Sequence, residues 1–184
     1  MTSVSEGLRT RLRPGAKIRL GQTYWEITGW APEEDYDGLD LASLVGRSGP
    51  APLMGLELLS PMFLRLNVGE SVLPDPALIF RGLLEVWESL AQDGAPSLSL
   101  SSDDAVEAIS RSVVIESLNV RTVEHTAHAD HRGVIGRLHL AVSAGANCDL
   151  VRNLSVLLDL ARYVGIGAKT SYGFGQARRA DVPD

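Results

Sequence analysis

The sequence predicts an α+β fold with an antiparallel sheet, because two long amphipathic stretches alternate with short β-prone runs from residue 53 onward. The order along the chain is strand, helix, strand, strand, helix, strand. Of the 184 residues, 45% are hydrophobic, which is enough to build a sizeable core. The chain is therefore expected to fold as one large or two small domains.

The N-terminal part predicts a β-hairpin followed by a loop. Residues 16–20 and 24–30 are β-prone and are separated by Gly21-Gln22-Thr23, which is typical of a hairpin. Residues 31–50 are first acidic and then rich in glycine and proline, which indicates a loop or linker. Residues 1–52 are thus predicted to form a β-hairpin and an acidic loop.

The first strand and helix of the main domain follow. Residues 53–59 form a short apolar run that stops at Ser60-Pro61, as a buried strand would. Asp75 is the predicted cap of a helix with Pro76 at its first position. One face of this helix carries the apolar residues Ile79, Leu83, Trp87 and Leu90.

The remaining elements complete the order. Residues 102–111 suggest a short helix, and residues 113–123 and 138–143 have the β-branched or alternating pattern of strands. Asp149 is the predicted cap of a second long helix that ends at Gly165. Its apolar face consists of Val151, Leu154, Leu158, Ala161 and Val164.

Residues 174–180 are expected to form a last strand. The complete order is that of the ferredoxin-like βαββαβ fold, in which two helices cover one face of the sheet and leave the other face open. RNA-recognition modules use an open face of this kind, although many unrelated proteins share the fold.

Residues 165–175 form the run Gly-Ile-Gly-Ala-Lys-Thr-Ser-Tyr-Gly-Phe-Gly, whose composition suits an anion. Backbone amides, an ammonium and hydroxyls all favour phosphate at short range. A nucleotide-binding P-loop is excluded because Ala168 precedes the lysine and the helix comes before the loop. The dinucleotide fingerprint fails because its sixth position is Thr170. The structural alternative is a glycine turn that lets the last strand pack tightly.

Charge is unevenly distributed over the chain. The net charge of −6 argues against indiscriminate coating of nucleic acid. Residues 151–180 are nevertheless basic, with Asp159 as the only acidic residue against Arg152, Arg162, Lys169, Arg178 and Arg179. This basic region is either a solvated face or a contact surface for phosphates.

The single cysteine, Cys148, excludes an intramolecular disulfide and a cysteine-rich zinc site. No signal-peptide pattern and no apolar run of membrane-spanning length is found. We expect a cytoplasmic protein with no membrane contact, no metal and no cofactor.

Four separated blocks of sequence resemble the CRISPR-associated RAMP endoribonucleases, the sixth CRISPR-associated protein family. The glycine run resembles the C-terminal signature of that family, including Lys169-Thr170 and the closing Gly-Phe-Gly. The upstream blocks, in the same order as in the family, are Leu58-Leu59-Ser60-Pro61-Met62, then Leu73-Pro74-Asp75-Pro76 with Phe80, Leu83, Leu84 and Trp87, then Gly133-Val134-Ile135-Gly136-Arg137. The resemblance covers residues 53–180.

The resemblance implies that the chain binds CRISPR repeat RNA and takes part in processing precursor CRISPR RNA. The implied reaction is metal-independent, with a 2′-hydroxyl attacking the adjacent phosphate. It requires a base, an acid and donors for the charge that grows on phosphorus. The expected RNA-binding residues are the glycine-run residues Gly165, Gly167, Lys169, Thr170, Ser171, Tyr172, Gly173 and Gly175, with Arg152, Arg162, Arg178 and Arg179.

The chain departs from the pattern of this family in its N-terminal region. Family members usually carry two ferredoxin-like domains, and a histidine base commonly lies in the first. Residues 1–52 contain no histidine, and they are interpreted as the remnant or tail of a first domain. The clustered histidines His125, His128 and His131 are the replacement candidates for the base, with a polar loop as the alternative.

Three hypotheses follow. The chain is an endoribonuclease or the C-terminal part of one, a non-catalytic RNA-binding subunit of a CRISPR ribonucleoprotein, or a ferredoxin-like protein-association domain without RNA. Other CRISPR-associated subunits or a second copy of the chain are the further partners considered.

Overall fold

The structure is a computed structural model that describes residues 15–20, 23–26, 40–91, 96–125 and 131–182. The chain divides into two compact units, residues 1–38 and 39–184.

In the first unit, β1 (Lys17–Leu20) and β2 (Thr23–Glu26) pair as an antiparallel hairpin. The predicted hairpin is confirmed over these residues. Residues 27–30 and 31–39, which complete the predicted second strand and most of the acidic loop, lie outside the described residues. The interpretation of residues 1–52 as the remnant of a first domain stays a prediction.

The second unit begins with a helix where the sequence predicted a loop. Helix α1 (Leu41–Arg47) is capped by Asp40, whose carboxylate accepts hydrogen bonds from the backbone N–H groups of Ala42 and Ser43. Leu44 of this helix is fully buried. The loop prediction is wrong for these residues because an acidic side chain that looked like loop composition is the cap.

The first strand of this unit is longer than predicted. β3 (Leu53–Met62) continues through Pro61 and is followed by a small hairpin of β4 (Leu64–Leu66) and β5 (Gly69–Ser71). Met54, Leu56 and Leu58 alternate onto the buried face of β3. The hairpin projects from the end of this strand.

A four-stranded sheet confirms the predicted ferredoxin-like fold. It contains β3, β6 (Val113–His125), β7 (His131–Val142) and β8 (Ala177–Ala180), and the spatial order is β6-β7-β3-β8 with every neighbouring pair antiparallel. The first strand of the motif is therefore central, and the last strand lies at an edge. This topology brings the C-terminal segment beside the end of β3.

Three helices accompany the sheet: α2 (Pro76–Ala91), α3 (Ser102–Ser112) and α4 (Cys148–Val164). Their apolar residues join the buried strand residues in one core, which includes Phe80, Trp87, Ile109, Leu154 and Leu158. The predicted cap of α4 is wrong by two residues. Asn147 is the cap, because its side-chain oxygen accepts from the N–H of Asp149 at 2.9 Å.

β7 begins at His131, seven residues before the strand that the alternating pattern predicts at residues 138–143. The added part contains two glycines. Gly136 has φ of +130° and lies so close to β6 that a Cβ there would overlap the carbonyl oxygen of Asn119. Gly133 packs against Pro61 and Met62 in the same way. These glycines permit close strand contact, and the block of residues 133–137 noted in the sequence lies within β7.

Among the described residues, no helix is long and apolar enough to span a membrane.

Candidate functional site

Backbone hydrogen bonds connect the glycine run to residues at the end of β3. Gly165 ends α4 with φ of +75° and donates its N–H to the carbonyl of Ala161. Further along, Ala168 donates to the carbonyl of Phe63 at 2.9 Å, and Gly175 donates to that of Pro61 at 2.9 Å. The run is therefore a fixed loop between the last helix and the last strand.

Two of the glycines are required by close packing. A Cβ on Gly167 would overlap the carbonyl oxygen of Phe63, and a Cβ on Gly175 would overlap that of Ile166. Several N–H groups of the loop already donate to backbone carbonyls. Close packing, the structural alternative, accounts for these two glycines, and their contact with RNA stays a prediction.

Lys169 is the cation of this loop. It has φ of +60°, a left-handed conformation that is uncommon for a residue with a side chain, and it precedes the 3₁₀ turn Thr170–Tyr172. Its Nζ contacts Nε2 of His131 in β7. The structure thus joins the predicted phosphate ligand and one predicted base, which are 38 residues apart in the chain.

The imidazole of His131 contacts polar and aromatic side chains from several elements. Its Nδ1 lies 3.2 Å from Oε2 of Glu70 in β5. Its ring stacks on Phe63 with centroids 5.2 Å apart and planes within 11°, and it meets the edge of Phe174 at 5.8 Å. The side chain is 15% exposed. We call Glu70, His131, Lys169, Phe63 and Phe174 the His131 site.

The β6–β7 hairpin brings His131 to this position. Its register pairs His125 with His131, where the two strands end and begin. His128 lies in residues 126–130, outside the described residues, and the structure describes the backbone of His125 but not its side chain. Of the three predicted histidines, His131 alone is described with side-chain contacts.

Arg178 lies on the open face of the sheet. Together with Arg137 of β7 it forms ion pairs with Glu57, at 2.7 and 2.9 Å. The hydrogen bonds from Arg178 and Arg137 hold the pKa of the Glu57 carboxyl below its usual value. Arg137 is six residues after His131 in β7, so this group lies about 20 Å along the strand from the His131 site.

The other predicted arginines lie on β8 and on α4. Arg179 points to the helical side of the sheet and binds Asp159 at 3.2 Å and the carbonyl of Ser155 at 3.3 Å. Arg152 and Arg162 are exposed on α4, and ten residues of helix separate them by about 15 Å.

The hydroxyl residues of the loop differ in exposure. Tyr172 is 78% exposed and lies three residues beyond Lys169. Thr170 is partly buried and packs against Gly165, whereas Ser171 is exposed. Tyr172 is thus the loop side chain that offers a free aromatic face to solvent.

Sequence reasoning missed three members of the site, Glu70, Phe63 and Phe174, although Phe174 lies in the glycine run that it singled out. Glu70 lies in a short hairpin where a glutamate is unremarkable, and no sequence signal would have singled it out. Phe63 follows the Ser60-Pro61-Met62 block, so the block indicated its neighbourhood but not its contact with an imidazole. Among the described residues, no group of three or more His, Cys, Asp or Glu side chains is arranged to hold a metal ion.

The sheet order, the helices on one face and the glycine loop beside β3 define a ferredoxin-like protein with a basic C-terminal loop. Residues 56–177 match the model of the family described as CRISPR-associated endoribonuclease Cas6, and the chain belongs to this family. The resemblance seen in the sequence is confirmed.

Solved structures of Cas6 proteins are similar to this chain. The chain is similar to Cas6 (TTHA0078) in a product complex, with 25% identity and a TM-score of 0.77 over 97% of this chain and 71% of that chain. It is also similar to Cas6 (TTHA0078) in a substrate mimic complex, with 27% identity and a TM-score of 0.73 over 95% of this chain and 76% of that chain.

A third similar structure is Thermus thermophilus Cas6 (TTHB231), with 23% identity and a TM-score of 0.67 over 77% of this chain and 58% of that chain. This likeness concerns the fold alone. No curated protein matches the chain significantly by sequence.

Proposed function

We propose that this chain binds CRISPR repeat RNA and takes part in processing precursor CRISPR RNA, by metal-independent cleavage through attack of a 2′-hydroxyl. Membership of the Cas6 endoribonuclease family supports the RNA and the processing step. Similar structures that hold a substrate mimic and a product support the same substrate class.

The observation that carries the cleavage proposal is the contact between Lys169 and His131. A neutral imidazole is the natural base near neutral pH, and an ammonium is a good partner for a phosphate that gains negative charge. The two groups touch, so one phosphate and its neighbouring 2′-hydroxyl can reach both.

In the proposed step, Nε2 of His131 accepts the proton of the 2′-hydroxyl while the oxygen bonds to phosphorus. The bond from phosphorus to the 5′ oxygen breaks, and this oxygen leaves with the electron pair and is protonated by water. The products are a 2′,3′-cyclic phosphate and a 5′-hydroxyl. Lys169 must turn from the imidazole to the phosphate for this step, because Nε2 cannot accept both protons at once.

The remaining loop residues bind rather than react in this proposal. Tyr172 stacks on a base, and the exposed arginines Arg152, Arg162 and Arg178 contact phosphates and position the RNA. Such contacts confer salt-dependent affinity without reading sequence. The cytoplasmic location, the further CRISPR-associated partners and the second copy stay predictions.

The test is incubation of the purified chain with labelled repeat RNA in excess EDTA, measuring retention and cleavage together. We expect retention and a specific cut that leaves a cyclic phosphate, and no cut when the nucleotide at that position is 2′-deoxy. Retention without any cut would favour the non-catalytic RNA-binding subunit. No retention at low salt would contradict both and favour a protein-association domain.

A further inference from the structure

We infer that Glu70 is a positioning residue that holds the imidazole of His131 with its proton on Nδ1 and its lone pair on Nε2. The catalytic meaning of this role rests on the proposed function, whereas the tautomer itself does not. Glu70 lies in β5, 61 residues before His131 in the chain, and the carboxylate reaches Nδ1 at 3.2 Å.

The two polar neighbours of the ring require the same tautomer. A carboxylate only accepts hydrogen bonds, so Nδ1 beside Glu70 must carry a proton. An ammonium only donates, so Nε2 beside Lys169 must carry a lone pair. The imidazole is then neutral, and Nε2 is the atom that can receive a proton.

The aromatic neighbours of the ring do not determine which nitrogen of His131 carries the proton. Phe63 stacks flat on the ring and Phe174 meets it edge-on, and both contacts fix the plane of the ring. A half-turn about the Cβ–Cγ bond would exchange Nδ1 with Cδ2 and Nε2 with Cε1 and preserve the stacking. Glu70 and Lys169 distinguish the two orientations, because in the other one each would face a carbon instead of a nitrogen.

Glu70 also has a part after proton transfer. When Lys169 has moved to the phosphate and Nε2 has accepted a proton, the ring is a cation in a site that is 15% exposed. The carboxylate beside Nδ1 then stabilises that cation. Glu70 contacts Nδ1 and not the reacting atom Nε2, so it acts through His131.

The tautomer is measured on the full chain labelled with ¹⁵N-histidine, by long-range ¹H–¹⁵N NMR at a pH where the imidazole is neutral. The signals of His131 are assigned by their loss in His131→Gln. We expect a protonated Nδ1 and an unprotonated Nε2 in the unmodified chain and in Glu70→Gln, because the amide oxygen still accepts from Nδ1.

Lys169 by itself also keeps a lone pair on Nε2, so the effect of Glu70 on the tautomer is measured with this lysine replaced. In Lys169→Ala we expect the Nδ1-protonated form to dominate, and in the double variant Glu70→Ala/Lys169→Ala we expect it to lose its dominance. The control is Glu124→Ala, which removes the same charge from an exposed ion pair with Arg132 on the same hairpin and should leave the His131 signals unchanged. An unchanged tautomer in the double variant relative to Lys169→Ala, or a proton on Nε2 in the unmodified chain, would overturn the assignment.

Cleavage gives the second measurement. Glu70→Ala should lower the single-turnover rate by about tenfold or more without weakening RNA retention, and Glu70→Gln should recover part of the rate. Glu124→Ala should cleave at the unmodified rate. Undiminished cleavage in Glu70→Ala would refute the catalytic role, whereas a chain that never cleaves would refute the proposed function and leave the NMR result standing.

Discussion

At the scale of single residues, Lys169 has two partners that compete for it. In the structure its ammonium contacts His131, and in the proposed complex it contacts a phosphate. A phosphate carries a full negative charge and the imidazole is neutral, so the phosphate is the stronger partner. In this proposal, RNA binding draws Lys169 away from His131 and thereby frees Nε2 of the imidazole to accept a proton.

Replacing this side chain tests its contact with phosphate. Lys169→Ala should weaken RNA retention and reduce the slope of log affinity against log salt by about one unit, because one phosphate contact is lost. Filter-binding titrations at several salt concentrations measure the slope.

The matched control is Lys17→Ala, which removes the other lysine of the chain, an exposed residue of β1. This variant should retain the slope of the unmodified protein. An unchanged slope in Lys169→Ala would remove the lysine from the phosphate site.

Residue type alone indicated two of the five residues of the His131 site. Lys169 and His131 were singled out because an ammonium in a glycine loop and a histidine in a turn are chemically distinctive. Their contact could not be predicted, because it depends on the register of β6 with β7 and on the loop lying against Phe63. The sequence did not indicate Glu70, because its contact with His131 depends on the position of the β4–β5 hairpin in the fold.

At the scale of elements, the glycine loop positions Lys169 through its fit against β3. Ala168 donates to the carbonyl of Phe63, and Gly167 lies against the same carbonyl. Phe63 in turn stacks on His131. The loop, the strand end and the imidazole therefore form one packed unit.

Two alanine substitutions separate this close fit from backbone strain. Gly167 and Gly173 have nearly equal φ, +84° and +87°, so Gly→Ala should cost each about 1–2 kcal/mol for the left-handed conformation. Only Gly167 also lies against backbone, and Gly167→Ala should cost about 1–3 kcal/mol more. Urea denaturation of both variants measures the difference.

A Cβ on Gly173 meets nothing within 4 Å, which makes Gly173→Ala the control for conformation alone. Equal losses of stability in the two variants would contradict the close approach of the loop to Phe63.

Elements were predictable where local signals agree. The start of α2 combined Asp75, Pro76 and a regular apolar face, and the helix does begin at Pro76. The alternating pattern indicated only the later part of β7, and the earlier part was indicated only by the resemblance of residues 133–137 to a strand of the family. That Gly133 and Gly136 permit close pairing is evident only from the neighbouring strands. Phe174 was expected in the last strand but is buried beside His131 instead, and β8 begins at Ala177.

At the scale of the whole molecule, the order of elements was enough to predict the sheet. A βαββαβ order has few compact antiparallel solutions, and the ferredoxin-like order β6-β7-β3-β8 is the one found. The same topology explains the site. It sets the start of β7 and the C-terminal loop at the end of β3, so distant segments meet there.

The central claim is that His131 is the base of an RNA-cleaving site within this chain. The most direct measurement compares the unmodified chain with His131→Ala for single-turnover cleavage of repeat RNA in excess EDTA, with retention measured on the same samples. The account predicts a loss of cleavage of about 100-fold or more with retention preserved, because a base is removed and the phosphate contacts remain. Undiminished cleavage by His131→Ala would contradict it.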